Sequence, residues 1–412
     1  MSEEVQTDPG VVIVGAGQAG CEAAFALRAA GHTGPIDLIG REPWPPYRRP
    51  PLSKQFIASD SAPESLSIKP APAFAKAGIT LRTATEVVAI DRPAQTVRFA
   101  DGGTLPYRHL VLATGGTARR LDLPGSTLRG IHALRGIDDA LAIRGGFHPG
   151  RRLVVVGGGF IGLEVAALAI QHGMSVSVLE AAPRLLSRVT APMMSGFYEH
   201  VHRGAGVEVQ LGACVDGFVG EDRDLTGVRC GNHLLPADMA LVGVGLHVAD
   251  EVAAAAGLRV DNGILTDAQC RTDDPDIYAI GDCARSWRAA SSLHLRLESV
   301  PNAIEQGRMV AQLIAGLPAP EPQAPWFWSD QYDLKLQMVG LSAGHDQEVL
   351  RGQIESRAFM VFYLREGALI ACDAVNRVAD FNIARKLVTE ARRIDPAVLA
   401  DEGLPLKDLA IA

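Results

Sequence analysis

Two apolar runs, Val11-Val12-Ile13-Val14 and Leu153-Val154-Val155-Val156, each end in a glycine-rich hexapeptide, GAGQAG at Gly15 to Gly20 and GGGFIG at Gly157 to Gly162. Each hexapeptide opens a helix-like run. In a strand-to-helix turn of this kind the first glycine (Gly15, Gly157) permits the tight turn. The second (Gly17, Gly159) lets a pyrophosphate approach bare backbone, and the third (Gly20, Gly162) lets the helix lie close on the sheet. The helix N-terminus, which in the second unit includes Phe160 and Ile161, then offers unpaired N–H groups to the anion. A single G-x-G-x-x-G also occurs in ordinary tight turns. Two in one chain predict two nucleotide sites.

The surrounding pattern predicts an α/β fold of two Rossmann-like units followed by a C-terminal α+β domain. In the first unit, strand 11–14 leads to a helix over 21–30 and a strand near 36–39. The second repeats the scheme with strand 153–156, a helix over about 161–172 and strand 175–179. The run Pro43-Trp44-Pro45-Pro46-Tyr47-Arg48-Arg49-Pro50-Pro51 reads as a stiff extended segment, because proline fixes φ and removes a donor. Leu110 to Gly116 reads as a buried strand leaving one domain, and Pro318 to Pro322 as a linker. Beyond it, strands over 334–340, 358–364 and 368–375 and a helix near 381–393 are expected.

With 412 residues, 47% of them hydrophobic, the chain holds two or three cores. A net charge of −8 argues against general affinity for nucleic acid, though not against a local basic patch. No apolar run reaches the roughly 18–20 residues of a membrane span, and Met1-Ser2-Glu3-Glu4 does not open a secretory signal, so a cytoplasmic location is expected. The cysteines at 21, 214, 230, 270, 283 and 372 form no C-x-x-C or C-x-x-x-x-C pair, which argues against a redox disulfide. His200 and His202 are two apart and share no helix face, so no metal site is assigned.

Three positions carry further chemistry. Glu180 ends the strand after the second fingerprint, where a carboxylate accepts hydrogen bonds from both ribose hydroxyls of an adenosine and repels a 2′-phosphate. Ala181 and Ala182 supply no compensating cation, so NADH is expected over NADPH. At the equivalent place in the first unit stand Gly40, Arg41 and Glu42, which leave ribose recognition open there. Asp282, in Ile277-Tyr278-Ala279-Ile280-Gly281-Asp282-Cys283, follows a strand at a turn before an expected helix. It suits either the ribityl hydroxyls of a flavin or the N-cap of that helix.

Taken together, GAGQAG, RRPPLSK (Arg48 to Lys54), LATGG, VVVGGGFIGLE (Val154 to Glu164), IYAIGDC, LESVPNAIEQ (Leu297 to Gln306) and PWFWSDQYDLKLQMVGL (Pro325 to Leu341) make the chain resemble a family. It is that of the FAD-containing, glutathione-reductase-fold ferredoxin reductases of bacterial oxygenase systems, of the putidaredoxin reductase type. The resemblance spans nearly the whole chain. It implies a discontinuous FAD domain (1–116 and 246–324), an NADH domain (117–245) and a C-terminal domain covering the flavin (325–412). It places Ala19, Arg41, Arg49, Lys54, Val87, Thr114, Arg135, Asp282 and Val300 at FAD, and Glu42 beside Arg41 as the alternative where the family often has an acidic residue. Gly243 and Gly245 fall on the nicotinamide side, where the chain has Val248-Ala249 in place of the family's Pro-Asn.

Lys54 and Glu164, from two different domains, are expected as a pair at the reactive flavin edge, the lysine favouring the charge that arrives with hydride. A structural salt bridge is the competing reading. Trp328 is expected at the electron exit, or as a packed interdomain aromatic, with Arg308, Lys335, Arg385 and Lys386 as a basic patch or as solvated charges. The implied activity is NADH-dependent reduction of a [2Fe–2S] ferredoxin feeding a haem-thiolate monooxygenase or other oxygenase, by a monomer. A rubredoxin reductase, an NADH oxidase and an NADH-sensing flavoprotein resembling apoptosis-inducing factor are the alternatives.

Overall fold

The computed structural model describes residues 9–289 and 292–409. They form two compact units, the described parts of Met1–Arg48, Ala62–Thr117 and Leu246–Pro322 in one, and Arg49–Ser61, Ala118–Gly245 and Gln323–Ala412 in the other.

The first unit is built on a parallel sheet in the order Ile277–Ala279, His109–Leu112, Val11–Val14, Ile36–Ile39, Ile79–Arg82. Its central strand is apolar at every position because both faces are covered. Val11 and Ile13 point into a core shared with helices Gln18–Ala29 and Val300–Ile314. Val12 and Val14 point into a second core formed with Val87, Ile90, Val97 and Tyr107, as the period of two along a strand requires.

The second unit contains the other parallel sheet, ordered Glu208–Leu211, Ser175–Glu180, Arg152–Val156, Met239–Val242, Ile131–His132, with helix Phe160–Gln171 following the central strand. It also contains an antiparallel sheet ordered Trp326–Gln331, Leu334–Gly340, Ala368–Val375, Ala358–Arg365, Gln347–Gln353. Helix Val378–Thr389 closes one face of that sheet through Phe381, Ala384 and Leu387.

The expected strands and helices occur within a few residues of their predicted bounds, with three differences. The proline-rich segment is not simply extended: Pro50 and Pro51 begin a short 3₁₀ turn, Pro50–Ser53, which proline tolerates at a first turn, where the missing N–H has no intrahelical partner. No α-helix follows Asp282. Gly281–Cys283 is a single 3₁₀ turn that passes directly into strand Ala284–Arg288, so Asp282 does not cap a helix. Residues 49–61 pack with the second unit, so Lys54 and Glu164 lie in one compact unit.

Within the second unit, Asp373 of strand Ala368–Val375 is fully enclosed, and its Oδ2 accepts hydrogen bonds from Thr190 Oγ1 (2.7 Å) and the Tyr363 hydroxyl (2.8 Å). Burial pushes its carboxyl from the ordinary 3.8 to about 6. Between those two values the folded chain keeps a proton that the unfolded chain gives up. This group's contribution to stability therefore falls as pH rises through the window, and its cost is complete above the folded value. Asp373→Asn accepts the same two hydroxyls without charge. Its melting temperature is expected to exceed that of the parent at about pH 8, by the equivalent of up to about 3 kcal/mol, and to lose most of that advantage near pH 4. Thermal unfolding at the two pH values checks this.

Candidate functional site

Both glycine turns are shaped by backbone contact. Gly15 and Gly157 have φ of +115° and +108°, and a Cβ there would lie 2.0 Å from Ala113 O and 2.5 Å from Gly243 O. A Cβ on Gly20 or Gly162 would strike the carbonyl of Gly15 or Gly157 at 2.0 and 2.4 Å, so each helix rests directly on the preceding turn. At the middle glycines the situation reverses. Gly17 and Gly159 are the N-caps of helices Gln18–Ala29 and Phe160–Gln171, neither makes a side-chain cap bond, and a Cβ on either would meet nothing within 4 Å. Open space over an uncapped helix N-terminus fits a diphosphate.

At the second turn, the Glu180 carboxylate accepts from Gly158 N (2.6 Å) and Ala182 N (2.7 Å), so the end of strand Ser175–Glu180 is tied to the fingerprint itself. Arg184 nearby is committed elsewhere, donating to Thr190 O, Ser195 Oγ and Ser187 O. Ile161 is exposed. Gly243 N donates to Val156 O (2.8 Å), and Gly245, at φ +111°, lies under the Arg188 guanidinium. Sequence reasoning had not picked out Arg188.

The first unit gathers several of the residues assigned to the flavin. Ala19 packs against Gly281, whose N–H donates to Gln306 Oε1 (2.7 Å). Gln306 Nε2 in turn donates to Ser286 Oγ (3.0 Å). This buried amide fixes the turn that carries Asp282, a role that LESVPNAIEQ did not disclose because it depends on a contact 25 residues away. Val300 begins helix Val300–Ile314, and Val87 begins a strand with its side chain buried. Thr114 Oγ1 donates to Ala249 O (2.6 Å). Arg41 is largely exposed, 3.9 Å from Glu86, whereas Glu42 accepts from the Tyr47 hydroxyl (2.5 Å). Arg308 pairs with Glu22 at 2.6 Å.

The remaining assigned residues belong to the second unit. Arg49 Nη1 donates to the Arg135 carbonyl (2.7 Å), so those two meet through the Arg135 backbone. Lys54 Nζ donates to Glu164 Oε2 (2.9 Å) and to Pro50 O (3.3 Å). Glu164 is only 6% exposed. It also accepts from Ser53 Oγ, and at Oε1 from Ser329 Oγ (2.6 Å). A buried carboxylate is tolerable when it is paired and fully hydrogen-bonded, and this one has three donors. Ser53 and Ser329 lie inside quoted motifs, but nothing local in the sequence assigns either of them to Glu164.

Trp328 is half-buried. It lines a groove of about 470 Å³ with Trp326, Asp330, Tyr332, Lys335 and Val378, while Arg385 stacks over the Trp326 ring at 4.9 Å. Among the described residues no group of three His, Cys, Asp or Glu side chains is placed to hold a metal ion, and no described helix is long and apolar enough to cross a membrane. All six cysteines are free, and burial raises the Cys21 and Cys270 thiols to about 12.

Comparison with known proteins supplies the class. Residues 9–307 match the family Pyridine nucleotide-disulphide oxidoreductase, and residues 326–410 match Reductase C-terminal. The chain belongs to the pyridine nucleotide-disulphide oxidoreductases. It is 45% identical to putidaredoxin reductase CamA of Pseudomonas putida over 98% of this chain and 97% of the relative. It is 42% identical to rhodocoxin reductase of Rhodococcus erythropolis over 98% and 94%. The solved covalent putidaredoxin reductase–putidaredoxin complex contains a chain that superimposes with a TM-score of 0.96 at 44% identity, covering 98% of this chain and 99% of that one. The protein is thus an FAD-dependent oxidoreductase that uses NAD(H), and its two uncapped glycine turns fit the two dinucleotides.

For this oxidoreductase kcat/KM is expected to favour NADH over NADPH by at least about 100-fold, equivalent to roughly 2.7 kcal/mol. Glu180→Ala should narrow that ratio, both by losing the ribose acceptor and by removing repulsion toward a 2′-phosphate. Steady-state kinetics with the two nucleotides measure it. Asp282→Ala should weaken FAD retention by about 1.5–3 kcal/mol, the worth of a charge-assisted hydrogen bond, read as flavin released on dilution.

Proposed function

We propose that this oxidoreductase is an NADH-dependent ferredoxin reductase, passing electrons one at a time to a [2Fe–2S] ferredoxin that feeds a haem-thiolate monooxygenase or another oxygenase. The observation that carries the reading is full-length similarity, through the C-terminal region, to a reductase seen in complex with its putidaredoxin partner. The cysteines agree with it. The absence of paired cysteines in sequence, and the burial that holds the Cys21 and Cys270 thiols far above neutrality, argue against a dithiol relay of the lipoamide or glutathione type.

When bound, FAD supplies the conversion between a two-electron and a one-electron donor. The chain's own residues bind and align. The N-termini of helices Gln18–Ala29 and Phe160–Gln171 receive the two pyrophosphates, Glu180 takes the adenosine ribose of NADH, and Asp282 takes the ribityl chain of FAD. Ala19, Arg41 or Glu42, Arg49, Val87, Thr114, Arg135 and Val300 complete the flavin contacts. The Lys54 ammonium, held by Glu164, stabilises negative charge at the flavin. The functional division is into an FAD domain (1–116, 246–324), an NADH domain (117–245) and a C-terminal domain (325–412). The protein acts as a monomer in the cytoplasm.

The groove lined by Trp328 and Lys335 is the docking face for the acidic ferredoxin. Purified protein should carry noncovalent FAD and reduce a [2Fe–2S] ferredoxin with NADH, at a rate that falls as salt rises, since screening at 0.15 M acts over roughly 8 Å. Lys335→Glu should slow ferredoxin reduction several-fold and NADH-to-ferricyanide turnover much less, because a small oxidant needs no docked protein face. Equal slowing with both acceptors would remove the groove from the reading. Absence of ferredoxin reduction in flavin-replete protein would remove the function.

A further inference from the structure

Glu164 stands at the end of a continuous buried string of hydrogen bonds. Ser329 Oγ donates to Glu164 Oε1 (2.6 Å), Gln331 Nε2 donates to Ser329 Oγ (3.2 Å), His202 Nε2 donates to Gln331 Oε1 (2.8 Å), and the Tyr332 hydroxyl donates to His202 Nδ1 (3.0 Å). Ser329, Gln331 and His202 are each at most 1% exposed, and Tyr332 reaches the groove beside Trp328. The string thus runs through one compact unit from the groove to the lysine–glutamate pair.

The direction of every bond follows from its anchor. An ionised carboxylate only accepts, so the Ser329 hydroxyl must donate to Glu164 and accept from the amide nitrogen of Gln331. The amide oxygen then faces His202, which must carry its proton on Nε2. Burial lowers the pKa of His202 and keeps the ring neutral, so Nδ1 is an acceptor and Tyr332 is the donor. All four donors point toward Glu164. An amide in the middle of the row is a poor proton carrier, so the string is suited to orient charge and not to conduct protons. Dipoles aligned in a dry interior reinforce one another.

We propose that Ser329, Gln331, His202 and Tyr332 are positioning residues, a string that delivers the positive ends of its dipoles to Glu164 and so sets how much of the Lys54 charge acts on the bound flavin. The inference rests on the reading that the Lys54–Glu164 pair acts on FAD. Without Ser329 Oγ, Glu164 loses its Oε1 donor, and without the links behind Ser329 that donor is less polarised; in either case the Glu164 charge is less offset, and the reduced flavin, which carries added negative charge, is disfavoured. Sequence reasoning weighed His202 only as a metal ligand, because its partners lie about 130 residues away.

The test is the two-electron midpoint potential of the FAD-loaded protein at one fixed pH, measured by equilibration with a reference dye. Gln331→Met, Ser329→Ala and His202→Phe should each shift the reduction equilibrium threefold to tenfold toward oxidised flavin, about 15–30 mV for a two-electron couple. Tyr332→Phe, at the far end, should shift it less. The Gln331→Met/His202→Phe double variant should match the larger single one, because links in series are not additive. Lys54→Ala separates the two layers of the argument. If it lowers the potential while Gln331→Met leaves it unchanged, the string is overturned and the pair stands. If Gln331→Met acts and Lys54→Ala does not, the string does not work through the pair. If neither acts, both readings fall. Nitrogen-15 NMR of histidine-labelled wild-type protein needs no folded core variant other than His202→Phe for assignment. It should show His202 with its proton on Nε2, and a ring protonated on Nδ1 would overturn the string.

Discussion

The second unit depends on one buried ion pair. Helix Phe160–Gln171 brings the Glu164 carboxylate into an interior where, unpaired, it would cost several kcal/mol. The 3₁₀ turn Pro50–Ser53 and the residue after it supply Ser53 and Lys54, and strand Trp326–Gln331 supplies Ser329. Two stretches far apart in sequence are therefore bound to one charged group on a third. With the bonds from Arg49 to the Arg135 carbonyl and from Arg144 to the Phe56 and Ser61 carbonyls, this groups residues 49–61 with the second unit. Removing one partner of such a pair costs about 3–5 kcal/mol, because the other is left buried and unmatched.

A second polar contact ties the loop before helix Pro192–Gly204 to the antiparallel sheet, where Asp373 accepts from Thr190 and Tyr363. The two carboxylates differ in what surrounds them. Glu164 has a lysine among its donors, whereas Asp373 has two neutral hydroxyls, which only partly offset the burial that raises its carboxyl. Phe197 packing edge-on to Phe359 and Phe160 against Phe327 fill the apolar space between these polar points. Apolar contact provides the bulk of the burial. The hydrogen-bonded carboxylates, which accept only directed donors, restrict how helix Phe160–Gln171 and the loop carrying Thr190 seat against the antiparallel sheet.

The two glycine turns show one backbone solution used twice with different endings. In both, a positive-φ glycine and a third glycine pressed on the first carbonyl leave an uncapped helix N-terminus under open space. The difference lies one strand later. Glu180 reaches back to Gly158, whereas the first turn is followed by Gly40, whose would-be Cβ lies 2.7 Å from the Ala16 side chain, and by Glu42 held by Tyr47. The turn geometry is shared, and the strand-end residue distinguishes the two turns.

Much of this was fixed locally. The fingerprints, the apolar strands around them and the strand-end Glu180 are legible because turn sterics, helix termini and strand periodicity act within a few residues. The missing cysteine pair is legible for the same reason. The helix expected after Asp282 failed because a Gly-Asp turn leads equally well into a strand, and pairing of Ile264–Thr266 with Ala284–Arg288 decides between them. Ser53, Gln306, Ser329, Gln331 and His202 were not legible in any window. Each is an ordinary polar residue until the fold removes water from it, and only a buried polar group must find a partner. Local sequence thus determined the two glycine turns and the strands and helices around them, while tertiary structure decided which distant side chains satisfy the charge at Glu164.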